Sequence, residues 1–129
     1  MAGTLIANTI NTDTGIYSTN NALNGVAKAW VSWTGSSGAT LQSFNVSSVT
    51  RNSTGNYTVN FATALSTASY VVAGSGSYGQ YADVVSLYLG TTTPSTTSCP
   101  IGFGIGNQPG ALATTMRDPV VATAVFYCA

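Results

Sequence analysis

Within the six residues Tyr78-Gly79-Gln80-Tyr81-Ala82-Asp83 the chain places two phenol rings, a primary amide and a carboxylate. Flat rings stack on the apolar faces of sugars, while amides and carboxylates hydrogen-bond their hydroxyl groups. Tyr78, Gln80, Tyr81 and Asp83 are therefore the expected sugar-binding residues. The competing reading is that these tyrosines plug seams between subunits.

Other chemistry is sparse. The chain has no His and no Glu, which removes the usual general bases, most zinc sites and any Glu-based carboxylate pair. A Ser activated by Lys28, or Cys99 as a nucleophile, is outweighed by a strand lysine and a structural thiol. No enzyme, metal or cofactor is expected. Gly74-Ser75-Gly76-Ser77-Tyr78-Gly79 fits the G-x-G-x-x-G pattern after the apolar YVVA. A dinucleotide site would need a helix at the third glycine and an acidic residue about 20 positions on. Here the text runs into QYADVVSLYLG and a Thr/Pro stretch, so an inter-strand loop is the better reading.

Cys99 and Cys128 are the only cysteines. Bridged, they would close a loop worth roughly 3–4 kcal/mol by chain entropy; the alternative is two buried thiols, which need no oxidising compartment. The stretch FNVSSVTRNSTGNYTVNF holds three N-x-S/T triplets, at Asn45, Asn52 and Asn56. About a third of the chain is Ser, Thr or Asn, so such triplets arise by chance, and turn-forming is the simpler reading.

The elements that would position these residues are strands. At 129 residues the chain is one domain, able to bury roughly two-thirds of its unfolded surface. Charged residues are only 5%, against about 25% in ordinary soluble domains, and the net charge is near zero. A phosphate backbone would find almost nothing to neutralise, so nucleic acid is not an expected partner. Weak repulsion between copies points instead to a chain that lives in an assembly. The N-terminus has no basic, then apolar, leader pattern, and no window reaches 18 apolar residues; a soluble protein without membrane insertion is expected.

Residues 1–25 lack a sustained period and read as an extended arm, with Leu5, Ile6, Ile10, Ile16 and Tyr17 as its scattered apolar residues. From Val26 the pattern changes. In VAKAWVSW, Ala27, Ala29, Val31 and Trp33 share one strand face, while Trp30 falls on the other and needs a second sheet, another subunit or a ligand. A subunit contact suits the low charge best. Tyr57, Val59 and Phe61 alternate with polar residues after a turn-rich Asn52 to Asn56, predicting a hairpin with a four- or five-residue loop. The strand before it changes parity, predicting a bulge or a break near Ser47 and Ser48. Further strands are expected over 69–73, 82–89, 101–105 and 120–128. The last is apolar on both faces and must be central or covered. TTTPSTTSCP reads as a connection, and IGFGIG as a strand whose glycine face admits close approach, making Phe103 and Ile105 expected subunit contacts beside Trp30. Together these elements predict an all-β chain, an antiparallel β-sandwich or jelly-roll-like domain over 26–129 behind the arm.

GVAKAWVSWTG, FNVSSVTRNSTGNYTVNFATAL and SYVVAGS, in that order, resemble the C-terminal module of bacteriophage tail-fibre and related virion-fibre proteins. The resemblance is close from Gly25 to Ser75, includes LIANTINTDTG as a lead-in, and fades after about Gly76. It implies a β-rich homotrimeric tip on a virion, used for host attachment, with host-surface polysaccharide as a candidate receptor. The arm, through Leu5, Ile6, Ile10, Ile16 and Tyr17, would then dock on other virion proteins. Beginning at Met1 with no fibre shaft ahead of it, the chain is expected to be a short stand-alone fibre. A head-decorating or cement protein built from the same module, and a carbohydrate-binding module, are the alternatives.

Overall fold

The structure, a computed structural model, describes residues 3, 9–12, 15–18, 25–77, 85–89, 93–105 and 115–128. Its eleven described elements are all strands: β1 (Thr9–Thr12), β2 (Gly15–Ser18), β3 (Ala29–Thr34), β4 (Thr40–Phe44), β5 (Val46–Ser53), β6 (Asn56–Phe61), β7 (Val71–Ser77), β8 (Val85–Leu89), β9 (Ser98–Ile105), β10 (Thr115–Met116) and β11 (Val121–Tyr127). β1 and β2 pair only with each other. The remaining nine form one antiparallel sheet in the order β4-β3-β11-β7-β8-β9-β6-β5, with β10 beside β9.

This sheet folds over on itself because its inward faces are apolar and must be covered. Ala29, Val31 and Trp33 of β3 and Ala122, Ala124 and Phe126 of β11 meet Tyr57, Val59 and Phe61 of β6 and Cys99, Ile101 and Phe103 of β9. The result is sandwich-like. One layer is β4-β3-β11-β7 and the other β8-β9-β6-β5, and between β7 and β8 a single pair, Gly76 with Val85, carries the path across.

Two three-ring clusters join the layers. Trp33 meets Tyr57 and Phe103 edge-on, with centroids 5.6 and 5.8 Å away. Phe126 meets Phe61 and Tyr70 in the same way at 5.0 and 5.9 Å. Edge-to-face contact brings the positive ring edge to the negative face and adds to the burial term. β6 serves both clusters, since Tyr57 and Phe61 lie four residues apart on its inward face. The alanines of β11 leave room for the rings opposite.

The chain passes between layers at Asn45, which ends β4 and begins the turn into β5. Asn45 is the one non-glycine described residue with positive φ, 54°, a conformation that asparagine tolerates better than most. Its amide nitrogen donates to the carbonyls of Lys28 (3.0 Å) and Thr63 (3.2 Å), and its amide oxygen accepts from the Thr63 N–H (2.8 Å). This side chain is a staple at a corner. Asn52 and Asn56 spend their amides on Thr58 and Ser53 respectively. All three sequon asparagines thus have architectural work.

Several expectations need correction. The segment before the hairpin is two strands, since Asn45 divides it between layers. The hairpin itself is tighter than expected, with Ser53 opposite Asn56 and Gly55 at φ 68° in its two-residue loop; a register shift between Arg51 and Ser53 absorbs Asn52. The shift near Ser47 is present as expected, between Val46 and Ser48. Ser98 to Pro100, read as connection, begin β9, where Ser98–Gly102 pair with β6. Residues 74–77, read as loop, lie within β7 and pair with β11. Within the expected arm, residues 9–18 contain the β1–β2 pairing, in which Ile10 lies opposite Tyr17. A two-residue connection needs little chain, so local pairing arises despite the weak alternation of the side chains.

Cys99 and Cys128 are both buried and unbridged. Burial pushes the Cys99 thiol pKa up, and the Cys128 sulfur lies 3.4 Å from the Ser66 hydroxyl. Thiols buried away from solvent react slowly. The native protein should therefore resist a thiol-specific chromogenic reagent, and denatured protein prepared without reductant should release two thiol equivalents. No thiol signal after denaturation would show a bridge.

Candidate interaction surface

The two layers have unlike outer faces. On the β5–β6 hairpin the outward side chains are hydroxyls and amides that bond one another: Asn60 donates to Ser48 (3.0 Å) and Thr50 (3.3 Å), and Asn52 to Thr58 (2.9 Å). On the other layer, β3 lies between β4 and β11, and its outward residue Trp30 pairs with Phe44 on one side and Val125 on the other. Val125 in turn pairs with Ala73 of β7, and Tyr127 with Val71. An apolar row thus crosses four strands. Trp30 is 38% exposed, Phe44 54% and Val71 66%. Along the strands the row gives way to Gln42, Ser32, Thr123 and Ser75, where the Ser75 and Thr123 hydroxyls are 3.1 Å apart.

A polar cluster closes one end of the sandwich. Asp118 lies just before β11, and its carboxylate accepts from Arg51 Nη2 at 2.6 Å, Arg51 Nε at 3.1 Å, the Gly55 N–H at 2.8 Å and the Tyr57 hydroxyl at 2.5 Å. The Tyr57 oxygen is also 2.8 Å from the Gly35 carbonyl, so its single proton faces two acceptors. The Arg51 guanidinium holds the Asp118 pKa well below the usual carboxylate range, at about 2, with the Gly55 and Tyr57 donors helping. Burial, then Asp118, push the Tyr57 phenol up. A carboxylate so fully engaged, beside a phenol that does not ionise, is a structural fastener with no free group for acid–base work.

Glycines let the fastener close. Pro119 is among the most deeply buried side chains, and a Cβ on Gly35 would sit 2.0 Å from its carbonyl oxygen, a Cβ on Gly76 2.9 Å from its Cβ. A Cβ on Gly55 would meet the Phe103 carbonyl oxygen at 2.5 Å. Backbone approach at all three positions excludes side chains.

Set against the sequence expectations, Trp30 does lie on the outward face and Trp33 in the core. Phe103 is corrected: it is fully buried between Trp33 and Tyr57 and has no surface to offer a second subunit. Its phase with Cys99 and Ile101, all inward, decides this. Ile105 pairs through its backbone with Val85 and Thr115. Ile10, Ile16 and Tyr17 are in β1 and β2, whereas Leu5, Ile6, Tyr78, Gln80, Tyr81 and Asp83 lie outside the described residues. Phe44 and Val71 were not singled out in sequence, although Phe44 follows from the parity of Trp30 once the β3–β4 register is known. Comparison with family models, with curated proteins and with solved structures returns no match.

The fastener has a definite pH signature. Asp118 has a folded pKa below its unfolded value of 3.8, so its contribution is complete above about pH 4 and is lost as pH falls towards about 2. Because solvent reaches both partners, the contribution is on the order of 1–2 kcal/mol. Asp118→Asn should lower stability at neutral pH and flatten the loss between about pH 4 and 2, read from denaturant midpoints. Equal acid sensitivity in both proteins would show that the fastener contributes nothing.

Proposed function

We propose that this chain is a structural protein of a bacteriophage virion, a short homotrimeric tail-fibre or fibre-tip protein that takes part in host attachment. The reading rests on the ordered resemblance over residues 25–75. The single structural observation in its favour is the uncharged apolar row through Phe44, Trp30 and Val125 on an outer sheet face. Isolated apolar residues are normal on a surface, but a contiguous row across four strands is the mark of a contact site.

In this reading residues 26–129 are the tip, and residues 1–25 attach it to other virion proteins. Fibre tips work at the cell surface, where they meet glycans, and the Tyr78, Gln80, Tyr81 and Asp83 cluster supplies ring and hydrogen-bonding chemistry for a polysaccharide. The near absence of charge suits a protein packed against copies of itself, since no ions need be stripped of water on assembly.

Multi-angle light scattering at micromolar concentration should give the mass of about three chains, and labelled particles should carry the label at the tail. Deleting residues 1–24 should leave the oligomer folded and abolish incorporation into particles. A label on the head would replace the fibre reading with a decorating protein, and a monomer that binds host polysaccharide saturably would replace both with a carbohydrate-binding module.

A further inference from the structure

We infer that the outer face of β4-β3-β11-β7, together with the free edge of β4, is the seam at which a second copy of this chain docks. The inference deepens the proposed function by assigning the contact surface, but the surface is argued from the sheet itself.

Three observations converge on this corner. The first is the apolar row, which ends at Phe44 on β4. The second is β4 itself. Among the described residues it is terminal in the sheet, pairs only with β3, and has all five side chains exposed, including Leu41 as well as Phe44. Edge strands of monomers are normally guarded by charge, proline or distortion. β4 reads TLQSF, with no charge and no proline, and although the register shifts at Leu41, Gln42 to Phe44 remain regular. The third is the contrast with the β5–β6 face, whose outward side chains bond one another. The apolar row is therefore local and does not follow from overall composition.

Area and charge identify the occupant. Four strands about 4.8 Å apart and seven residues at about 3.3 Å each give a face of roughly 15 by 23 Å. The apolar row covers only part of it, and a stable interface takes about 800 Å² from each partner. The whole face, its Ser32, Thr123 and Ser75 row included, is roughly 350 Å² in projection, so the seam must take in all of it and extend beyond it over the β4 edge. Ser75 and Thr123 enter at low cost, because their hydroxyls already satisfy one another. A partner of different sequence is normally selected by complementary charge. This chain has three basic and three acidic residues, and Arg51 and Asp118 are consumed in one internal pair. Apart from Lys28 at its margin, which shares the parity of Trp30, the face has little with which to select a charged partner or to repel its own copy.

The test places a single lysine in each variant, at two positions of the proposed seam and at one on the other layer. Phe44→Lys and Val71→Lys, both at exposed positions, should reduce the scattering mass to that of one chain at concentrations where the parent is assembled. Thr50→Lys, on the β5 face, should leave the assembly intact. Continued protection of the two core thiols shows that each variant is folded, and Val71→Lys supplies the answer if Phe44→Lys is not. Assembly that survives both substitutions overturns the seam and leaves the fibre reading standing, as does loss of assembly in Thr50→Lys alone. A parent protein that is monomeric overturns the seam and the trimer together. Dissociation by both variants, with no trace of the parent chain on particles, upholds the seam while removing the virion role.

Discussion

The Asp118 carboxylate is the point on which the rest of the structure depends. It collects a guanidinium, a backbone N–H and a phenol from the β5–β6 hairpin of one layer, and it stands immediately before β11, the central strand of the other. Pro119, the next residue, is held between Gly35 and Gly76, and the Val120 N–H donates to the Ser77 carbonyl at 2.6 Å. Three consecutive residues thus fix the depth at which β11 enters the sheet. Removing the carboxylate would leave the N–H of the buried Gly55 without this acceptor, and an unsatisfied buried donor costs more than the net worth of the bond lost.

From that fixed strand the interior follows. β11 sets β3 on one side and β7 on the other, and the inward phase of Ala122, Ala124 and Phe126 decides which rings can approach from β6 and β9. The same strand sets the outer face, because Val125 must fall between Trp30 and Ala73 when Ala124 points inward. Interior packing and the exposed outer face are therefore two readings of one register, and a slip of a single residue would exchange them.

Much of this was legible in the sequence where the evidence was local. The alternation of Ala29, Val31 and Trp33 and of Tyr57, Val59 and Phe61 pointed to both strands and their inward faces, and the apolar text of β11 left it either central or covered by a subunit, of which the sheet order makes it central. Phe103 was misassigned because glycine neighbours mark a close approach without saying which face is approached. The β4–β5 corner was read as one strand because Asn45 continues a β-like pattern; its left-handed backbone is enforced by Lys28 and Thr63, remote in sequence. Asp118 was not picked out because its partners lie 61 to 67 residues away and nothing near Arg-Asp-Pro announces them. The exposed row needed the sheet order, since Phe44, Trp30, Val125 and Ala73 come from four separate segments.

The central proposal is that a fastener at one end of the sandwich fixes the register that presents an apolar row on an outer face, and that copies of the chain meet on that face. Hydrogen–deuterium exchange on the unmodified protein, followed as it is diluted, addresses this most directly. The account predicts that amides of residues 40–44 and 71–73 exchange slowly in the assembled protein and quicken on dilution, while those of residues 57–61 remain slow throughout. Exchange at residues 40–44 and 71–73 that does not change with dilution while the scattering mass falls would contradict it, because the copies would then be meeting on some other face.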